Sequence, residues 1–165
     1  MLPAIQPVEV RDAVNAKEHG FPYDTVQMPL NVMDAHYQSF GAKVVPEARR
    51  QEMGVLGMKP LGSGVFFKSK ALGKGAINPV ECLQYSMSLP TSVVITGCDE
   101  MGVLMQALYA ALSFDPGKFQ RESLLARTAD DAKAGEWEKY KTSQDFDSTA
   151  KHSWWLETGS LKKTS

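Results

Sequence analysis

Cysteine is nearly missing from this chain, which has only Cys82 and Cys98. Two widely separated thiols make neither a CxxC-type metal pattern nor a disulfide framework, so a reduced, cytoplasmic setting is the expectation. Iron–sulfur ligation in the tail is excluded, since no cysteine follows Cys98. Charge of one sign is also lacking: 18 Lys and Arg stand against 19 Asp and Glu, a formal net charge of -1. Such balance gives no electrostatic reason to expect nucleic acid or an anionic membrane as partner. No apolar run approaches the ~18 residues of a membrane span. Met1-Leu2-Pro3-Ala4 lacks the basic region and apolar core of a secretory signal, so a soluble, unsecreted protein is expected. Histidine is scarce at three residues, His19, His36 and His152. None is placed to activate Cys98, which reads as a small buried hydrophobe rather than a nucleophile.

What is present suits one hydrophobic core: 165 residues, 43% of them hydrophobic. From about Pro7 to His19, Val10, Ala13 and Val14 share a face and Gly20 follows, the pattern of a helix with a glycine stop. Thr25-Val26-Gln27-Met28 reads as a short strand cut off by Pro29, with Gln27 and Asn31 at its end. Residues Ala42 to Met53 predict a helix with Val44, Val45 and Ala48 inward. Asn78 and Pro79 read as an N-cap and first helical position, opening a helix that Pro90 ends. Thr91 to Thr96 is a β-branched run and reads as the clearest strand. Asp99 or Glu100 can cap the next helix, in which Val103, Leu104, Ala107, Leu108 and Ala111 recur at helical spacing. Phe114 to Lys118 is a turn, and Gln120 to Ala134 forms an amphipathic helix with Leu124, Leu125 and Thr128 on its apolar side. Beyond Gly135, Trp137, Tyr140, Phe146, Trp154 and Trp155 mix with charge without a steady period. That tail either wraps over a sheet surface or is partly disordered.

The stretch with the most chemical content is Gly54-Val-Leu-Gly-Met-Lys-Pro-Leu-Gly-Ser-Gly64. A short apolar run ends in Lys59, Pro60 and nearby glycines, the pattern of a buried strand opening into a tight loop with accessible amides. In parallel α/β architectures sites are built at such strand ends, and Lys59 adds a positive charge there. Taken alone, Lys59 reads first as a solvated or salt-bridged lysine at a strand end, and Lys68, Lys70 and Lys74 as a solvated loop over residues 65–75, with a lid over phosphates as the alternative. Alternating strands and helices predict an α/β fold with parallel strands. With only three strands visible, two unpaired edges and an apolar sheet face are left open, a reason to expect self-association.

Three blocks together resemble the aldo/keto reductases, specifically the C-terminal half of their (β/α)8 TIM barrel. Val26-Gln27-Met28-Pro29-Leu30-Asn31 is similar to the sixth strand, Gly54 to Gly62 to the seventh strand and its turn, and Leu89 to Cys98 to the eighth. The resemblance covers about Asp24 to Leu112. It implies a partial barrel over residues 1–112, with a C-terminal helix and tail over 113–165. It further implies an NAD(P)-dependent oxidoreductase of small carbonyl compounds or alcohols. Gln27 would contact the nicotinamide carboxamide, and Lys59, Pro60, Leu61 and Gly62 would line the pyrophosphate. Met58 stands where the family has a tyrosine stacked on the nicotinamide, and its thioether packs more loosely against a ring. Gly97 and Cys98 would begin the adenosine-phosphate loop, with Gln106 near adenine. Asp99 and Glu100 would repel a 2′-phosphate, leaving NAD at least as favoured as NADP.

The family's Asp, Tyr, Lys and His tetrad maps onto no residue here, so no catalytic residue is assigned and the chain alone is expected to be inactive as a reductase. It also opens on a helix, out of phase for such a unit, so a fragment or a natural remnant is expected. The rival expectation is a non-catalytic nucleotide-binding or oligomerisation module derived from half a barrel.

Overall fold

The computed structural model describes residues 23–68 and 77–143. The helix expected over Pro7 to His19, most of the lysine-bearing loop and the last part of the tail lie outside them.

Strand β1 (Thr25–Pro29) and strand β2 (Gly54–Met58) pair in parallel, with Thr25 opposite Gly54 and Pro29 opposite Met58. Proline brings no N–H to a ladder, and β1 ends at Pro29. One further bond extends the pairing, Leu30 N–H to the Met58 carbonyl at 3.0 Å. Strand β3 (Val93–Val94) joins the other side of β2, also in parallel, giving the order β1-β2-β3. The central position of β2 explains why Val55 is fully buried.

Between β1 and β2 the chain forms α1 (Phe40–Lys43) and α2 (Val45–Arg50). The sequence predicts one helix here, and Pro46 is the reason there are two: it sits in the first turn of α2, where a missing N–H costs nothing. Val44, Val45 and Ala48 do point inward, packing with Met28, Leu30, Phe40 and Val55. After β2 comes a short turn, Gly62–Gly64, and then α3 (Val65–Lys68), where a loop was expected. Phe66 accounts for the difference: it is 1% exposed and packs edge-on against Trp137 in a second core cluster.

Helix α4 (Pro79–Ser88) begins as the sequence predicts, with a reciprocal capping box. Asn78 Oδ1 accepts the Glu81 N–H at 2.9 Å, while Glu81 Oε2 accepts the Asn78 N–H at 3.2 Å. Such a cap stabilises a helix by about 1 kcal/mol. Ser86 then ties α4 to the sheet, donating to the Leu30 carbonyl at 2.6 Å. β3 is shorter than the Thr91 to Thr96 run predicts, with flanking ladder bonds only from Ser92 N–H to Val55 and from Ile95 N–H to Gly57. Among the described residues β3 pairs on one side only, and its last residue, Val94, lies opposite Gly57, one short of the end of β2. Helix α5 (Met101–Leu112) packs against α4, and α6 (Arg121–Ala132) sends Leu124 and Ala132 into the second core cluster with Cys82 and Tyr85. The last helix among the described residues, α7 (Lys139–Thr142), lies in the tail that showed no period, and its Lys141 is buried.

The fold is thus α/β with a parallel three-stranded sheet and alternating helices. No helix among the described residues is long and apolar enough to cross a membrane.

Candidate functional site

β2 and β3 run in the same direction, so the loops that leave them emerge side by side. Between those loops lies an open cleft of about 620 Å3. One wall is the strand end and turn Met58, Lys59, Pro60 and Leu61, continuing to Ser63 and Gly64; the other is Ile95 to Asp99, with Val103 from α5 behind it. The volume falls within the range of small-molecule sites, roughly 300–1,000 Å3.

The turn is held in an uncommon conformation. Lys59, Gly62, Ser63 and Gly64 all have positive φ, at 54°, 55°, 56° and 76°. Left-handed backbone is costly for a side-chain-bearing residue, so Lys59 and Ser63 are held there by their surroundings. Gly62 has a steric reason as well, because a Cβ there would come within 2.3 Å of the Phe66 ring. Lys59 Nζ lies 4.9 Å from the Tyr140 ring centroid, a cation–π contact that links the cleft to the tail. On the tail side Lys59, Gly62 and Ser63 line a smaller cavity of about 190 Å3 with Trp137 and Tyr140.

Of the residues singled out from sequence, Met58, Lys59, Pro60, Leu61, Gly97 and Cys98 converge on the cleft. Gln27 is exposed on β1 outside the lining, yet its Nε2 lies 3.2 Å from Met58 Sδ. Gly62 faces the smaller cavity, and Gln106 is half-buried on α5 away from the lining. Sequence reasoning left out Ser63, Gly64, Ile95, Thr96 and Val103 as lining residues. The first four lie inside the glycine-bearing stretch and the β-branched run, so the signal was present; Val103 comes from a helix that only the fold brings near. Asp99, expected to repel a 2′-phosphate, lines the cleft opposite Lys59's wall. The Cys98 thiol is exposed there, not buried as its type suggested. Burial pushes the Cys82 thiol up to about 12, with the Glu81 charge adding to the effect, so that sulfur is inert at neutral pH.

A second polar group gathers beside the exit of β1. Asn31 Oδ1 accepts the Met33 and Asp34 N–H groups, each at 3.0 Å, so Asn31 shapes the turn over Asp34–His36. Asp34 accepts the Phe40 and Gly41 N–H groups at 2.9 and 3.0 Å and the Ser39 hydroxyl at 2.9 Å. Lys141, its side chain fully buried, donates to Asp34 and Glu138 at 2.7 Å each and to the Tyr37 carbonyl at 2.8 Å. All three ammonium protons are therefore used, and nothing is left to bind a ligand. Burial raises the Glu138 carboxyl above its ordinary value, Lys141 pulling the other way. Tyr140 donates to Glu138, and burial together with that carboxylate drives its hydroxyl well above the usual tyrosine range. This cluster is a clamp holding α7 to the β1 exit. His36 lies beside it and hydrogen-bonds Thr128 Oγ1 at 3.0 Å; burial lowers its pKa.

No group of three or more His, Cys, Asp or Glu side chains among the described residues is placed to hold a metal ion. No family profile, curated protein or solved structure matches the chain.

Proposed function

We propose that the cleft between the β2 and β3 exits binds the phosphate-bearing part of a nicotinamide dinucleotide, and that the chain is the cofactor-binding part of an NAD(P)-dependent oxidoreductase of aldo/keto reductase type. The observation that carries this is convergence. Met58 to Leu61 and Gly97 to Cys98 were assigned to one cofactor from separate parts of the sequence, and they line one cleft at the carboxyl ends of parallel strands.

The donor set suits such a ligand. Lys59 offers a cation to the pyrophosphate, and Met58, Pro60, Leu61 and Ile95 offer apolar surface to the rings. Asp99 accepts a ribose hydroxyl but repels a 2′-phosphate, which favours NAD over NADP. Bound, the cofactor supplies a hydride to a carbonyl carbon or takes one from an alcohol. The contribution of these residues is to hold and orient it.

Fluorescence titration with NADH tests the assignment. A lysine–phosphate contact is worth about 1.5–3 kcal/mol, so Lys59→Ala should weaken binding roughly 10- to 100-fold. Asp99→Asn should narrow the gap between NADH and NADPH. Equal NADH affinity for wild type and Lys59→Ala would remove the basis for the pyrophosphate site. A non-catalytic nucleotide binder would use the same cleft, and because neither reading expects carbonyl reduction from this chain alone, the two part on whether the upstream coding sequence supplies an in-frame Asp, Tyr, Lys and His tetrad.

A further inference from the structure

Among the described residues, helix α5 turns one flank to the protein and leaves the other bare. Its inward side carries Val103 and Ala110, the latter fully buried. Its outward side carries Met101, Leu104, Met105, Leu108, Tyr109 and Leu112, all exposed, reaching 69% for Met101 and 88% for Leu112. Their spacing of three and four places them on one continuous stripe. The 12 residues of α5 include no charged side chain. A helix apolar on both sides is a buried helix, and here nothing among the described residues buries the second side.

From these observations we propose that the outward face of α5 is the interface between two copies of this chain. Area supports a second copy as occupant. At these exposures six side chains of this size present on the order of 800 Å2, which is the per-partner area of a standard stable interface. It exceeds the roughly 300–600 Å2 of the largest patch on a typical monomer. Composition agrees with area, because permanent self-interfaces are the more apolar class and exclude charge from their centre. Two copies of α5 crossing antiparallel about a two-fold axis bury the same stripe from both sides, closing the assembly as a dimer. Tyr109 contributes a large rigid ring with a polar tip, the kind of side chain that anchors such interfaces. The stripe is opposite Val103, the α5 residue that lines the cleft, so pairing leaves the cleft open. The interface thus does not depend on what the cleft binds.

Sedimentation velocity from about 1 to 100 μM tests this. The full chain should sediment as a dimer, and Met105→Glu, which sets two carboxylates against each other across the axis, should return it to a monomer at least tenfold more concentrated than the wild-type midpoint. Because Met105 is exposed, far-UV circular dichroism and the thermal midpoint of the monomeric variant should match those of wild type diluted to monomer. A wild-type monomer at 100 μM overturns the proposal. So does an assembly that survives both Met105→Glu and Leu112→Glu, since it would be held by another surface or another partner.

Discussion

Lys141 is the residue whose loss the protein should feel most. In Lys141→Met the side chain keeps its length and apolar stem but loses its charge. Two carboxylates, Asp34 at 2% and Glu138 at 1% side-chain exposure, would then face each other without the cation between them. Removing one partner of a buried ion pair costs about 3–5 kcal/mol, because the remaining charge stays buried and uncompensated. Domains of this kind are stable by only about 5–15 kcal/mol, so the substitution takes a large part of the margin. With a urea slope near 2 kcal/mol per molar, the unfolding midpoint at pH 7 should fall by roughly 1.5–2.5 M. The deficit should shrink toward pH 5, where Glu138 can take up a proton and the repulsion fades. The measurement is urea unfolding by circular dichroism at fixed protein concentration at both pH values. A loss under about 1 kcal/mol at pH 7, or a loss that does not change with pH, would refute the view of Lys141 as a buried, charge-compensating clamp.

Glu138 itself gives a pH prediction of opposite appearance. Its folded pKa lies above the ordinary value of 4.5, so the folded state holds the proton more tightly, and its contribution is full below that value and lost as pH rises through the folded pKa. Glu138→Gln cannot titrate and should flatten the decline in stability as pH rises above 4.5; an unchanged slope assigns the decline to other groups. Gly62→Ala meets both a left-handed φ of 55° and the Phe66 ring. Strain plus overpacking should destabilise by roughly 2–4 kcal/mol in thermal or urea unfolding, and a loss below about 0.5 kcal/mol would show that the turn can relax at little cost.

Sequence carried the elements wherever a local device announces them. The Asn78, Pro79 and Glu81 capping box, the Gly54 to Met58 run and the helical spacing after Glu100 each name their element within a few residues. It failed where a single residue overrides the pattern. Pro46 divides a periodic stretch, and Phe66 turns a glycine- and lysine-flanked segment into a helical turn by finding a core below it. The cleft was legible because its walls are consecutive stretches of chain with glycine and proline marking their ends. The clamp was not. Asp34 and Lys141 are 107 positions apart, and a lysine in a charged, aperiodic tail looks like a solvated one until the fold supplies its partners.

That separation also orders events in time. A chain emerging from the ribosome at about 5–20 residues per second needs roughly 5–20 s after Asp34 to produce Lys141. During that interval Asp34 can already be satisfied locally by Ser39, Phe40 and Gly41, so the β1 exit can take shape without its cation. Closing a loop of this length costs about 4 kcal/mol of chain entropy, similar in size to what the ion pair returns. Docking of α7 should therefore be a late step that locks a structure already formed. Slow refolding amplitude that disappears in Lys141→Met would be its kinetic signature.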